Sequence, residues 1–251
     1  MNKKKIEIII GGIIGVCIVF AGGYYFAKNT GSSKSISNKV ATSQSIQQHK
    51  PKEDNKIEGY NLGDTLTKGQ FENALKKGQE YKDKNINVHD VNMVMYSSQD
   101  FQNNYVSSIS VITPYATVIR ESAKLAKNYT DINDKNVINQ LKNDGLKLNT
   151  ISCVTTVGGD EMDFAKQDNI VIVVTCQDGS QKTLHATKMS NDIDYESTTD
   201  FFPDNPTYKN TIGGEFDITG LKDIKSIDVK IIQPNKNEVN QNFDWNKINQ
   251  L

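Results

Sequence analysis

The chain has 251 residues and a formal net charge of −1 at pH 7, but the charge is unevenly distributed. Residues 59–251 carry 20 Lys or Arg and 26 Asp or Glu, whereas residues 28–58 carry six Lys and three acidic side chains. Residues 59–251 therefore carry a net negative charge. Nucleic acid is itself negatively charged and binds to a basic face, which this charge balance does not indicate. We therefore expect no nucleic-acid partner.

The first element is an uncharged stretch of 20 residues, 8–27. A helix of this length reaches about 30 Å, the thickness of a bilayer core. A cleavable signal peptide has a shorter apolar region, of about 7–15 residues. A lipoprotein signal ending at Cys17 requires a small residue where Val16 stands. The bulky Tyr24 and Tyr25 suit the headgroup layer. The stretch predicts a permanent transmembrane anchor. We therefore expect the chain to be held in the membrane through residues 8–27.

Lys3, Lys4 and Lys5 directly precede the span, and the denser basic cluster normally stays in the cytoplasm. Residues 1–7 are therefore predicted to be a cytoplasmic tail, and the C-terminal part is predicted to be extracellular. Residues 28–58, rich in Ser, Asn, Gln and Lys, predict a flexible stem. Folded sequence is expected from near Tyr60, in an exterior domain spanning 59–251. The bias of 28 Lys to one Arg indicates a low-GC Gram-positive bacterium.

Helices are predicted early in this domain. Thr67 and Gln70 form a capping box for a helix over 68–82. Thr113 followed by Pro114 starts a second helix over 113–129. The run DKNVINQLKN is a third, which ends before Gly145. The runs NVHDVNMVMYSS and YVSSISVIT lie between the first two helices and predict strands.

From residue 146 onward the pattern predicts strands. They are expected at 146–157, 170–177, 181–188, 213–218, 225–233 and 239–245, with a hairpin turn at Asp178-Gly179. We expect an α+β domain: an immunoglobulin-like β-sandwich with helices before it and inserted near its start, preceded by the transmembrane helix. An immunoglobulin signature would also place a Trp between the two exterior cysteines, and none is there.

These two cysteines, Cys153 and Cys176, lie in strand-like runs that are expected to be neighbouring strands. An exterior compartment permits a disulfide between them. The alternative is that both are buried free thiols that act as small apolar residues.

Motifs for catalysis are absent from the sequence: it has no GxSxG, SxxK, Walker or dinucleotide-binding pattern. Neither His89 nor His185 is spaced from another ligand residue as in a known metal-binding motif. A Cys–His nucleophile pair of His185 with Cys153 or Cys176 is disfavoured, because both cysteines are expected to be buried in strands. We expect a protein that is not an enzyme, with no catalytic residues and no cofactor.

Two acidic loops are candidates for a metal site. One holds Asp160, Glu161 and Asp163; the other holds Asp192, Asp194 and Glu196. Alternating oxygen ligands suit Ca²⁺, although the glycine and glutamate positions of an EF-hand are not met. The alternative is that both loops are solvated acidic segments.

The segment DYESTTDFFPDNPTY holds four aromatic residues, Tyr195, Phe201, Phe202 and Tyr208. They are interpreted either as a plug covering the end of the sandwich or as a patch that meets a partner. The plug is favoured.

An anchor joined to a β-rich module without catalytic motifs predicts a membrane-tethered binding or scaffolding module of the bacterial cell envelope. Its partner is expected to be a protein or an envelope polymer. One alternative is a subunit of an envelope assembly for secretion, division or sporulation. Another is an envelope hydrolase with a dispersed active site.

Overall fold

The computed structural model describes residues 56–83, 94–97, 100–191, 196–234, 236 and 238–249. The predicted tail, the span 8–27 and nearly all of the predicted stem lie outside these residues. Among the helices that are described, none has the length and apolarity needed to cross a bilayer. Lys56–Ile57 already pairs with Tyr60–Asn61, and Ile57 is buried, so folded sequence starts slightly before the expected position.

The described residues form an α+β fold with antiparallel sheets. The strands are β1 (Lys56–Ile57), β2 (Tyr60–Asn61), β3 (Val94–Ser97), β4 (Val106–Ile112), β5 (Thr150–Gly159), β6 (Asn169–Cys176), β7 (Gln181–His185), β8 (Lys188–Ser190), β9 (Ser197–Thr198), β10 (Tyr208–Asp217), β11 (Ile224–Ile232) and β12 (Val239–Asp244). The helices are α1 (Lys68–Asp83), α2 (Phe101–Asn104), α3 (Pro114–Lys127), α4 (Asp134–Asn143) and α5 (Trp245–Ile248), with a 3₁₀ turn at Phe164–Gln167.

Two larger sheets make up most of the fold. The first has the order β3-β4-β5-β10-β8, with β9 also pairing β10, and the second has the order β12-β11-β6-β7. The alternating burial of β5 and β11 places every second side chain in the interior. Side chains from both sheets, such as Ile151 and Phe216 of the first and Ile172 and Ile227 of the second, belong to one buried apolar cluster. The two sheets therefore share a hydrophobic core.

A second apolar cluster holds the helical layer, which consists of α1, α3, α4 and the β1–β2 hairpin. Phe71 of α1, Ile119 of α3 and Leu141 of α4 are all fully or almost fully buried there. The layer lies against the start of β5, because Gly63 approaches the Leu148 backbone. Asp64 Oδ2 also accepts a hydrogen bond of 2.9 Å from the Gly220 amide.

The predicted helix starts are confirmed. The Gln70 amide donates to Thr67 Oγ1 at 3.2 Å, and the Thr67 amide donates to Gln70 Oε1 at 2.9 Å, so the capping box is complete. Thr113 Oγ1 accepts from the Ala116 amide. The third helix ends before Gly145, whose φ of +65° is the left-handed conformation that glycine adopts without strain.

Most predicted strands are confirmed with shifted ends, and one differs in kind. The predicted strand 181–188 is two strands, because the chain leaves β7 for β8 of the other sheet. The Thr187 amide accordingly donates to the Glu215 carbonyl. The predicted last strand ends at Asp244, where the side chain caps α5 by accepting from the Lys247 amide.

The predicted disulfide is not formed. Cys153 and Cys176 are both free thiols. They do not lie on neighbouring strands, because β5 and β6 belong to different sheets. Cys153 is fully buried in the core between the sheets, so the alternative of a buried thiol acting as a small apolar residue describes it.

Candidate binding surface

One end of the two sheets is formed by loops from four parts of the chain. It lies where β5 ends and β10 begins, because Gly159 pairs with Tyr208. We call it the loop end and define it by residues 100–105, 160–168, 196–207 and the described residues between 233 and 238. The opposite end of β5 faces the helical layer.

Glycine permits the close packing at the base of the loop end. A Cβ atom at Gly158 would lie 2.9 Å from both the Phe101 ring and the Pro206 side chain. A Cβ at Gly159 would lie 2.1 Å from the Phe164 ring. The Phe101 ring in turn packs against Phe201, with ring centroids 6.2 Å apart. Three of the segments thus meet over the last residues of β5.

A polar cluster of three residues joins the segments on the surface. The Tyr105 hydroxyl donates to Asp160 Oδ1 at 2.7 Å, and Lys236 Nζ donates to Asp160 Oδ2 at 2.8 Å. Lys236 Nζ also lies 3.6 Å from the centroid of the Tyr105 ring. Desolvation and the neighbouring Asp160 raise the pKa of Tyr105. The pKa of Lys236 is also raised, because the interactions with Asp160 and Tyr105 outweigh its desolvation.

A buried polar pair lies beneath this surface. Gln233 Nε2 donates to Asp168 Oδ2 at 2.9 Å and to the Gly158 carbonyl at 3.0 Å. Burial raises the pKa of Asp168 to about 6, and the hydrogen bond from Gln233 opposes that rise. Gln233 Oε1 is buried and has no hydrogen-bond partner within the described part of the chain. The bond from Gln233 to Gly158 joins the 233–238 loop of the second sheet to β5 of the first.

Glu196 of the second acidic loop contacts the first acidic loop at this end. The Asp163 amide donates to Glu196 Oε2 at 3.1 Å. The Asp163 carboxylate pairs with Lys166 at 3.3 Å, and both Asp160 oxygens accept from Tyr105 and Lys236. Glu161 is exposed. Among the described residues, no three His, Cys, Asp or Glu side chains are grouped to hold a metal ion. Asp192 and Asp194 lie outside those residues, so the six-residue set stays a prediction.

Three of the four predicted aromatic residues are described, and they differ in exposure. Phe201 is half-buried against Phe101, as a plug would be, whereas the Phe202 side chain is 59% exposed. Tyr208 is half-buried at the start of β10, and Tyr195 lies outside the described residues. Met162, in the first acidic loop, is 65% exposed and was not among the predicted site residues. The loop end therefore presents two exposed apolar side chains.

The structure does not place His185 and a reactive cysteine together as a Cys–His nucleophile pair. Cys153 is fully buried, and burial raises the pKa of its thiol to about 12, so almost no thiolate forms near neutral pH. Cys176 ends β6, whereas His185 pairs with Val171 near the other end of that strand. His89 lies outside the described residues.

No protein-family model and no curated protein matches this chain. Tyr105, Gln233 and Lys236 belong to no predicted site. Tyr105 precedes β4, whereas Gln233 and Lys236 lie in the loop between β11 and β12, and no short motif in the sequence marks them.

A second concentration of charge lies in the helical layer. Lys124 Nζ is 2.7 Å from Glu121 Oε1 and 3.3 Å from Asp144 Oδ2. Burial raises the pKa of Glu121, and Lys124 partly opposes that rise. Burial also raises the pKa of Asp144, but hydrogen bonds from Gln140 and the charge of Lys124 hold it below its usual range. These groups bind one another, so we interpret the cluster as structural.

Proposed function

We propose that the protein is a membrane-anchored binding or scaffolding module on the exterior of a bacterial cell and that the loop end is its binding surface. The anchor is residues 8–27, with residues 1–7 in the cytoplasm and the folded part outside. The activity is binding and not catalysis.

The fold proposed for this module is an immunoglobulin-like sandwich. The strand order supports it: β4-β5-β10-β8 and β12-β11-β6-β7 correspond to the sheet orders A-B-E-D and G-F-C-C′ of that fold, in the same chain order. Helices α3 and α4 are then an insertion between strands A and B, and β3 is an additional edge strand. In immunoglobulin variable domains, the loops between B and C and between F and G bind the ligand. Here these loops are 160–168 and 233–238, which both belong to the loop end.

The observation that carries the proposal is the separation between the loop end and the start of the described chain. The β1–β2 hairpin belongs to the helical layer, which lies against the start of β5. The loop end lies at the other end of this ten-residue strand, which spans about 33 Å. A chain tethered to a membrane through residues before Lys56 would therefore present its loop end to a partner away from the bilayer.

The exposed apolar side chains support binding at this end. Met162 and Phe202 are exposed on two loops that are joined through Asp163 and Glu196. Aromatic residues and Met are enriched at protein interfaces, where they anchor a partner in the buried centre.

The orientation is tested by protease treatment of intact cells or spheroplasts that carry the full chain with an epitope at each end. We expect external protease to remove the epitope after Leu251, while the epitope before Met1 stays protected. Protection of both epitopes in intact cells, with cleavage only after lysis, would contradict an exterior domain.

The binding surface is tested by photo-crosslinking in the native cells. Benzoylphenylalanine replaces Phe202 in one variant and Tyr129 in the other; Tyr129 is 86% exposed and follows α3 in the helical layer. We expect a discrete cross-linked species from position 202 and none from position 129. Species from position 129 alone, or from neither position, would contradict the assignment of the loop end as the binding surface.

A further inference from the structure

We infer that the partner of the loop end is a positively charged protein segment that also presents an apolar side chain. This inference rests on the proposed function and specifies the chemistry of the ligand. It follows from the charges of the loops and from the two exposed apolar residues that the loops carry.

The loop end has an excess of negative charge. Residues 160–168 hold four acidic side chains and one lysine, and residues 196–207 hold three acidic side chains and no basic one. The two lysines of the loop end are already paired, Lys236 with Asp160 at 2.8 Å and Lys166 with Asp163 at 3.3 Å. The lysines therefore do not offset the remaining acidic residues.

Three of those acidic residues are exposed: Glu161, Asp200 and Asp204. No ion pair involves them within the described part of the chain. Glu161 directly precedes Met162, and Asp200 and Asp204 stand two residues to either side of Phe202. Each exposed apolar side chain thus lies next to exposed acidic side chains.

This arrangement selects among classes of partner. An anionic wall polymer, a nucleic acid or the surface of an anionic membrane would be repelled by the acidic loops. A basic protein segment is attracted by them, and an apolar side chain on that segment can cover Met162 or Phe202. Charge steers such a partner to the surface, while the apolar contact provides an anchor.

The experiment uses the full chain in nanodiscs of uncharged phosphatidylcholine and measures binding of fluorescent 12-residue peptides by anisotropy. One probe peptide holds four Lys and two Phe among Ser and Gly. A second replaces the four Lys with Glu, and a third replaces the two Phe with Ser. We expect the first peptide to bind most tightly and both others to bind at least tenfold more weakly.

Two triple variants each remove three negative charges, one at the loop end and the other on a different surface. The triple variant Glu161→Gln, Asp200→Asn, Asp204→Asn neutralises the loop end. The control variant Glu72→Gln, Asp131→Asn, Asp223→Asn neutralises three acidic residues that are also exposed but lie outside the loop end. We expect at least fivefold weaker binding of the Lys–Phe peptide to the first variant and unchanged binding to the second. Raising NaCl from 0.05 to 0.3 M should weaken binding to the natural sequence.

The outcomes separate the inference from the proposed function. Absence of peptide binding, equal binding of the Glu peptide, or equal affinities of the two triple variants would overturn the inference of a basic partner. Self-association of the full chain that is abolished by Phe202→Ser would also overturn it, because the occupant would then be a second copy. In each case, a cross-linked species from position 202 but not from 129 would still support binding at the loop end.

Discussion

Gln233 Nε2 donates hydrogen bonds to the buried Asp168 carboxylate and to the Gly158 carbonyl, and so joins the two sheets beneath the loop end. The carboxylate has little access to water, and its pKa is raised to about 6, mainly by burial. The geometry of the candidate binding surface therefore depends on a group that changes its charge in mildly acidic solution.

Asp168→Asn is expected to alter the pH dependence of stability. The pKa of Asp168 is higher in the folded state than in the unfolded state, so the folded state holds the proton more tightly between about pH 4 and 6. Stability contributed by this group is thus present at low pH and is lost as the pH rises to about 6. Asparagine does not ionise, so the variant should gain on the order of 1 kcal/mol at pH 7.5 and nothing at pH 4.

The measurement is urea unfolding across this pH range, with Asp200→Asn as the control, because Asp200 is exposed. The control should follow the pH profile of the natural sequence. A similar profile for Asp168→Asn would show that the buried carboxyl does not hold its proton as inferred.

The helices were largely predictable because their signals are local. Thr67 and Gln70 stand three residues apart and cap each other, and Thr113 precedes a proline at the first helical position. The residues of such a pair are at most three positions apart and meet as soon as the first helical turn forms, so they can be recognised from the sequence. The Asp178-Gly179 hairpin was predictable for the same reason, and β6 and β7 do pair across it.

The loop end was predictable only in part, because its contacts are distant in sequence. Tyr105 and Asp160 are separated by 55 residues, and Asp160 and Lys236 by 76. No spacing rule connects them, since the order of strands in the sheets brings them together. The acidic and aromatic segments stood out by composition, but that composition did not distinguish the half-buried Phe201 from the exposed Phe202.

Gly78 allows α1 to pack closely against α3, a role that helix propensity alone does not reveal. On sequence alone, Gly69 and Gly78 both weaken α1. A Cβ at Gly78, however, would lie 2.2 Å from the Ser122 Cβ of α3, whereas nothing lies within 4 Å of a Cβ at Gly69. Gly78→Ala should therefore destabilise the protein by about 2–3 kcal/mol, because α1 and α3 must separate. Gly69→Ala should stabilise it by up to about 1 kcal/mol.

Thermal and denaturant unfolding of the two alanine variants measure this difference, and each serves as the control for the other. An equal, stabilising effect of both substitutions would contradict the close approach of the two helices at Gly78.

Lys124→Met tests the charge cluster around the buried Glu121 in the helical layer. Lys124 offsets the negative charges of Glu121 and Asp144, and without it the pKa of Glu121 should rise further above its unfolded value. A raised glutamate pKa lowers stability as the pH rises, so the loss should be larger at pH 8 than at pH 5. We expect a loss of about 1–3 kcal/mol at pH 8, because the buried Glu121 loses its ion-pair partner.

Lys127→Met is the matched control, since Lys127 stands in the same last turn of α3 and has no ion pair within the described residues. Urea unfolding at both pH values compares the two variants. Equal losses for both, independent of pH, would show that Lys124 acts only through its aliphatic chain.

The thiols of Cys153 and Cys176 are expected to differ sharply in reactivity. Cys153 is fully buried with its pKa raised to about 12, whereas Cys176 is only half-buried at the end of β6. In full-length Cys17→Ser protein, purified without reductant, a disulfide-exchange reagent should react with one thiol in the folded state and with two in denaturant. Adding Cys176→Ser should abolish the fast reaction, whereas adding Cys153→Ser should preserve it. If no thiol is found in denaturant until a reductant is added, the two cysteines are bonded, and β5 and β6 must lie closer together than the structure has them.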